Sequence, residues 1–245
     1  MTLFLHQLRA EQLIFWRSRE SAFFVFLFPP LLFVLLASAF GEEAEDATYL
    51  VAALIGYAVA NTALAGLAIT LVVRREFGIL KRLRSTPLPP ALYLATALLS
   101  NLVVVVLQSA AVVALGLLLF DADRPADLGS FALALAIGAV AFAGLGLAAA
   151  ALIRSAEAVA AVVNVVVLPM SFLSGSFGSA DDLPRALDLL ASVLPLEYLV
   201  ELTLAAYVDG EPVTDHLRAV GILAAWGAAG YAVARARFGW EPRER

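Results

Sequence analysis

Between residues 74 and 84 the chain places five of its sixteen basic residues: Arg74, Arg75, Lys81, Arg82 and Arg84, with Glu76 among them. Such a cluster can grip a carboxylate or a phosphate, follow an acidic protein surface, or lie against anionic headgroups. Little else in the sequence offers chemistry. There are no cysteines, so no disulfide, thiol nucleophile or Cys-ligated metal site can form. Two histidines, His6 and His216, cannot build a multi-histidine metal centre within one chain. The single lysine, Lys81, is followed by Arg82 and lacks the glycines of a Gly-x-x-x-x-Gly-Lys-Ser/Thr phosphate loop. Ser174 and Ser176 in "SFLSGSFGS" lack the Gly-x-Ser-x-Gly frame of a nucleophile elbow.

The elements that position the cluster follow from composition. The 245 residues are 62% hydrophobic and 15% charged, with a mean hydropathy of +0.90. Soluble domains are about a quarter charged, and a polar surface cannot be assembled from this chain. It reads as an all-α polytopic membrane protein, a single transmembrane domain over residues 1–245. Six stretches lack Asp, Glu, Lys and Arg: 21–41, 47–73, 85–120, 128–153, 158–180 and 219–234. A spanning helix needs about 20 apolar residues. The first five runs are long enough, and the sixth gains length from the Arg218 stem. Membrane-spanning strands would show shorter alternating runs.

Basic residues set orientation. With both termini cytoplasmic, thirteen of the sixteen fall inside, leaving Arg124, Arg185 and Arg218 outside. Glu42, Glu43, Glu45, Asp46, Asp121, Asp123, Asp127 and the acids of 181–215 fall outside. The first run also has the outline of a cleaved leader, with Arg17 and Arg19 before it and Ala37–Ala39 near its end. Pro29–Pro30 in its middle and the twenty residues before it favour a retained span. Residues 1–20, with Phe4, Leu5, Leu8, Phe15 and Trp16 clustered on the wheel, read as an interfacial helix or as an extension of the span.

In this topology 74–90 is a short cytoplasmic loop. Phe77, Leu80 and Leu83 give it an apolar edge beside a basic face, and "TPLPP" ends the helix. The cluster alone is equally a topology signal or a headgroup site. Residues 181–215 alternate apolar and acidic residues, with Pro184 able to start a helix. Glu197 and Glu201 share a face there. Asn61, Gln108 and Asn164 are polar groups within spans, either interhelical glue or cargo contacts. Gly221, Ala225 and Ala229 form a small-residue stripe suited to close packing. Pro29–Pro30 and Pro169 predict kinks.

"RREFGILKRLRSTPLPPALYL" resembles the first cytoplasmic loop of type-2 ATP-binding-cassette (ABC) exporter permeases, the drug, lipid and polysaccharide export family. The resemblance rests on Arg75, Glu76, Gly78, Leu83, Arg84, Thr86, Pro87, Leu88 and Tyr93. "PMSFLSGSFGSADDLPRALDLLASVLPLEYLVE" is similar to the family's segment between its last two spans, with a Phe-Leu-Ser-Gly turn, a Leu-Pro helix start and a Leu-Pro-Leu-x-Tyr element. The stretch "LVELTLAAY" lacks the basic residue that members often carry there.

The resemblance implies that 74–90 is a coupling helix seated on a separate cytoplasmic ABC ATPase, with Glu76, Phe77, Gly78, Leu80 and Leu83 as contacts and Arg75 and Arg84 as charge partners. It implies short re-entrant helices in 181–215, with Glu197 and Glu201 at the exit, and a second permease copy or homologous permease. ATP and magnesium would reside in the partner, with no cofactor, metal or catalytic residue in this chain. The expected function is outward export of an amphipathic drug or lipid-like substrate across a prokaryotic plasma membrane, among membrane lipids and without nucleic acid. An ion-coupled carrier or a non-transporting scaffold is the alternative. A carrier usually needs ionisable groups near mid-membrane, and the six runs contain none.

Overall fold

A computed structural model describes residues 2–19, 22–41, 44–178 and 184–241. The expectations placed on Glu42, Glu43, Asp181, Asp182, Leu183, Arg243 and Arg245 lie outside the described residues. Those described are helical or in short turns, with no strand among them.

Helix α1 (Thr2–Arg17) is separate from the first span. A π-helical stretch (Ala22–Leu27) leads into α2 (Phe28–Phe40). The central helix runs through Glu45–Glu76, 32 residues, as α3 (Ala44–Ala60), a π-helical stretch (Asn61–Gly66) and α4 (Leu67–Glu76). A six-residue helix α5 (Ile79–Arg84) precedes α6 (Pro90–Leu119), α7 (Leu128–Leu152) and α8 (Ala156–Leu173). Then come α9 (Arg185–Ala191), α10 (Pro195–Leu204) with a π-helical end (Ala205–Asp209), and α11 (Leu217–Arg237). Five helices among these are long and apolar enough to cross a membrane, and α9 with α10 forms a broken pair bent by 81°. The chain is an all-α multi-pass membrane protein.

The short member of the set is not where the charge count placed it. Among the described residues the first run carries the shorter apolar helix, Val25–Phe40. Pro29 and Pro30 lie at the start of its α-helical part, directly after the π-helical turn, and they supply no N–H to the carbonyls of that turn. The sixth run instead lies within a 21-residue helix. Arg218, Arg235 and Arg237 are helical residues with long stems, so a count of uncharged positions understates it.

The central helix is the core. Leu50 through Ile55 are at most 3% exposed, and Leu67, Ala68, Leu71 and Val72 at most 1%. In lipid, helices gain from close packing rather than from water exclusion, so small residues mark the contacts. A Cβ on Gly146 of α7 would meet the Ala63 and Leu64 carbonyls at 2.8 Å. Between α7 and α11, a Cβ on Gly230 would sit 2.5 Å from the Gly144 backbone, and one on Gly144 would sit 2.6 Å from the Gly227 carbonyl. The buried stripe of α11 is therefore Leu223, Gly227, Gly230 and Ala234. The expected stripe of Gly221, Ala225 and Ala229 faces outward. Both stripes have the spacing of a packed face, and only the position of α7 distinguishes them.

Charge separates the two ends of the bundle. At the basic end, contacts join α1 to α4 (Glu11–Arg74), α4 to the α7–α8 turn (Arg75–Ile153), and α6 to the tail (Tyr93–Trp240). At the acidic end, the Ala126 and Asp127 amides donate to the Tyr207 and Ala206 carbonyls, and the Tyr207 hydroxyl donates to the Asp123 carbonyl.

Gly230→Leu is expected to cost about 3 kcal/mol, the upper end for overpacking, because the opposing atoms are backbone and cannot move aside. Gly221→Leu, where an added Cβ meets nothing within 4 Å, is expected to leave the melting temperature unchanged. Thermal unfolding of both variants in detergent checks the assignment of the packed stripe.

Candidate functional site

The basic loop is built from two helix ends and a reversal. Helix α4 stops at Glu76, and Gly78 takes φ +69°, a left-handed conformation that favours glycine. That reversal launches α5 in a new direction. Ser85 and Thr86 hydroxyls donate to the Arg82 and Leu83 carbonyls, closing α5 at 2.7 and 2.6 Å. Pro89 and Pro90 then open α6. The helix break at Gly78 also corrects the expected apolar edge. Phe77 caps the end of α4 and is 69% exposed, whereas Leu80 on α5 is fully buried and Leu83 half-buried.

Two adjacent charges of the loop turn inward. Arg75 is 1% exposed. Its guanidinium donates to the Ala150 and Ile153 carbonyls, at 2.6 and 2.5 Å, at the C-terminus of α7. Glu76 accepts the Ala156 amide at the first turn of α8. A cation thus meets the negative end of one helix and an anion the positive end of the next. Arg75 was expected as a charge partner for another protein, and Glu76 and Leu80 as contacts. The structure places Arg75 and Leu80 inside the chain, because the α7–α8 turn and the core occupy their sides of the loop. The face left open carries Phe77, Ile79, Lys81, Arg82 and Arg84.

Beside this bracket lies a network not anticipated from the sequence. Arg74 donates through both terminal nitrogens to Glu11 of α1, at 2.9 and 2.8 Å, and to the Tyr93 hydroxyl at 2.7 Å. Glu11 is 5% exposed. A signal was present: Phe4, Leu8, Glu11 and Phe15 recur at helical spacing, which sets an acid on the apolar face of α1. Such an acid needs a buried cation.

The polar residues of the spans separate by role. Gln108 is fully buried. Its amide donates to the Val25 carbonyl at 2.7 Å and accepts from Thr62 at 3.0 Å. It bridges the first two π-helical stretches and is interhelical glue. Asn61 is half-buried at the start of the second stretch. Asn164 points outward from α8, on a face with Val165 at 74% exposure. Pro169, four residues on, supplies no N–H to the Val165 carbonyl.

At the acidic end Glu197 and Glu201 lie on α10. One Glu197 carboxyl oxygen is enclosed without a hydrogen-bond partner among the described residues. Glu201 meets His216 Nδ1 at 3.0 Å, and Glu211 meets His216 Nε2 at 2.8 Å. These contacts raise the His216 pKa above its ordinary value, Glu201 contributing most. Other charged groups of this corner include Glu197, Asp188, Asp215 and Arg218, the Arg218 guanidinium lying 6.0 Å from the Tyr198 ring centroid.

The chain matches the family model for the ABC-2 type transporter across residues 2–208. It is also 34% identical over 89 residues to Nodulation protein J of Rhizobium leguminosarum bv. viciae. That alignment covers 36% of this chain and 34% of the relative, so it spans about a third of that protein's length.

Arg75→Met should lower stability by about 1–3 kcal/mol for each carbonyl left without its donor. Arg75→Lys should recover only part of this, because one ammonium lacks the guanidinium fork. An unchanged melting temperature in Arg75→Met would dismiss the bracket. The His216 clamp gives a pH dependence of defined sign. The group's folded pKa lies above its unfolded value, so its stabilisation is complete below about pH 6.5 and is lost as pH rises through the folded pKa. Melting temperature should fall as pH rises above about 6.5, and His216→Gln should flatten that slope.

Proposed function

The chain belongs to the ABC-2 type transporter family and is an ABC transporter permease, and from that premise we propose that it is the membrane half of an exporter driven by a separate ATPase. The ATPase, carrying ATP and magnesium, docks on the basic end. The supporting observation is the open face of the 77–84 segment, where Phe77 and Ile79 are 69% and 41% exposed beside Lys81, Arg82 and Arg84. An apolar residue at that exposure, ringed by cations, suits a hydrophobic pocket with an acidic rim on a partner. The apolar contact is Phe77, with Arg84 among the charge partners. Gly78 sets the loop's shape, and Arg75, Glu76 and Leu80 hold the loop rigid from behind.

Rigidity matters to the proposed coupling. A push on α5 reaches α4 through Gly78, α7 and α8 through Arg75 and Glu76, and α1 through Arg74. The loop therefore moves four helices together.

A second permease copy, or a homologue, covers α8 in this reading. Only the Val159, Val163, Val167 and Met170 stripe of α8, with Ser171 beyond it, is buried in its own chain. Asn164 on the opposite face is costly to leave in hydrocarbon, and a partner helix would give it hydrogen bonds. The exported cargo, an amphipathic drug or lipid-like molecule, passes along that apolar face and leaves past Glu197 and Glu201. The basic end faces the cytoplasm of a prokaryotic cell, with α1 along the inner surface of the plasma membrane.

Co-purification in nanodiscs with an ABC ATPase from the same genome tests the reading. Wild type should retain the ATPase, and Phe77→Asp or Arg82→Glu/Arg84→Glu should lose it by tenfold or more with the fold unchanged. Failure of every candidate ATPase to bind the wild type would overturn the docking proposal and favour a carrier or a scaffold.

A further inference from the structure

A cavity of about 360 Å³ lies between α1, the central helix and α6. Its volume falls in the range of sites that hold small ligands, about 300–1,000 Å³. Most of its wall is hydrocarbon: Ile14 and Phe15 of α1, Val25 of the first π-helical stretch, Leu67 and Val73 of α4, and Val104 of α6. Glu11 and Arg74 also border it, but they are paired with each other at 2.8 Å. Ser100 borders it too, and its hydroxyl and carbonyl accept from Gln12, each at 2.9 Å. An occupant therefore finds these polar groups already satisfied and gains mainly by dispersion contact.

The cavity is elongated. Its wall extends from Gly66 to Arg74 along the central helix and from Ala97 to Val104 along α6. At about 1.5 Å per residue this is a channel of about 10–12 Å. Gly66 ends a π-helical stretch, a feature that recurs at functional sites. A Cβ there would meet only ordinary contacts, Asn101 at 3.5 Å and Val25 at 4.0 Å. Close packing does not demand glycine at this point, and its missing side chain leaves the channel open.

Two exposed cations lie close in sequence to residues of the wall. Ser18 and Ile79 line the cavity. Exposed Arg17 precedes the first, and exposed Arg82 shares the short helix α5 with the second. The nearest acid on the wall, Glu11, is neutralised by Arg74. An apolar channel close to exposed basic residues is complementary to a hydrocarbon chain ending in a negative headgroup.

We propose that this cavity is a resident lipid site: one acyl chain of an anionic phospholipid fills the channel, with its phosphate beside Arg17 and Arg82. The lipid stands between α1 and the helices that carry the docking loop. The site shares Ile79 and Arg82 with the open face of the docking loop, but it needs no partner protein, and its test uses Gly66, Ile14 and Arg17 instead.

The test is native mass spectrometry of the full chain in detergent, with dioleoyl phosphatidylglycerol and dioleoyl phosphatidylcholine as probes. Wild type should retain one phosphatidylglycerol per chain, at least fivefold over phosphatidylcholine. Gly66→Leu fills the channel, and Ile14→Trp does so from the 54% exposed position on α1. Each should reduce retention at least fivefold while the protein still melts cooperatively. Arg17→Glu should abolish the preference between the two lipids. Equal retention by wild type and both filled variants would place the lipid elsewhere and overturn the site. Equal retention of the two lipids by wild type would overturn the anionic headgroup. Release of the bound lipid on addition of ATP to the reconstituted complex would make it cargo and overturn a resident role.

Discussion

The arrangement at the basic end depends on two neighbouring side chains of opposite charge. Helix ends carry partial charges, positive at the N-terminus and negative at the C-terminus, and their unpaired amides and carbonyls need partners. The turn between α7 and α8 brings one end of each kind together. Arg75 supplies a cation to the first and Glu76 an anion to the second. One dipeptide at the end of the central helix therefore fixes both following helices. Away from bulk water these contacts carry more weight than on a soluble surface.

Close packing on the central helix follows from the same economy of polar groups. A helix enclosed on nearly all sides can be approached closely only by a backbone without bulky side chains, which is where Gly146 falls, while Gly144, Gly227 and Gly230 allow the equally close contact between α7 and α11. The π-helical stretches free backbone groups from the regular ladder. Gln108 meets that need by reaching the Val25 carbonyl and accepting from Thr62. A residue that looked equally suited to cargo is thereby committed to structure.

The acidic end is organised differently. The 120–127 turn is tied to the end of α10 through backbone amides and the Tyr207 hydroxyl, and His216 is held between Glu201 and Glu211. Titratable groups join the elements there. At the basic end the joining groups include guanidinium pairs that stay charged across the accessible pH range. The two ends thus differ in their response to pH as well as in sign.

The sequence by itself determined the class and the order of the apolar segments, because hydrocarbon tolerates few charges and each charge-free run had to become helical. It also located the loop, through the glycine and prolines that must end helices, and the loop motif pointed to the family. Tertiary structure decided which side of each helix meets protein. A single chain's periodicity gives a face but not its neighbour, so the stripe of α11 moved from Gly221 to Gly227 and Gly230. It also sorted the loop's charges. Arg75 and Arg84 are the same residue type nine positions apart, yet one is buried under the α7–α8 turn and the other is open. The difference is made by residues 150–156, roughly seventy-five positions away, whose approach no local pattern encodes.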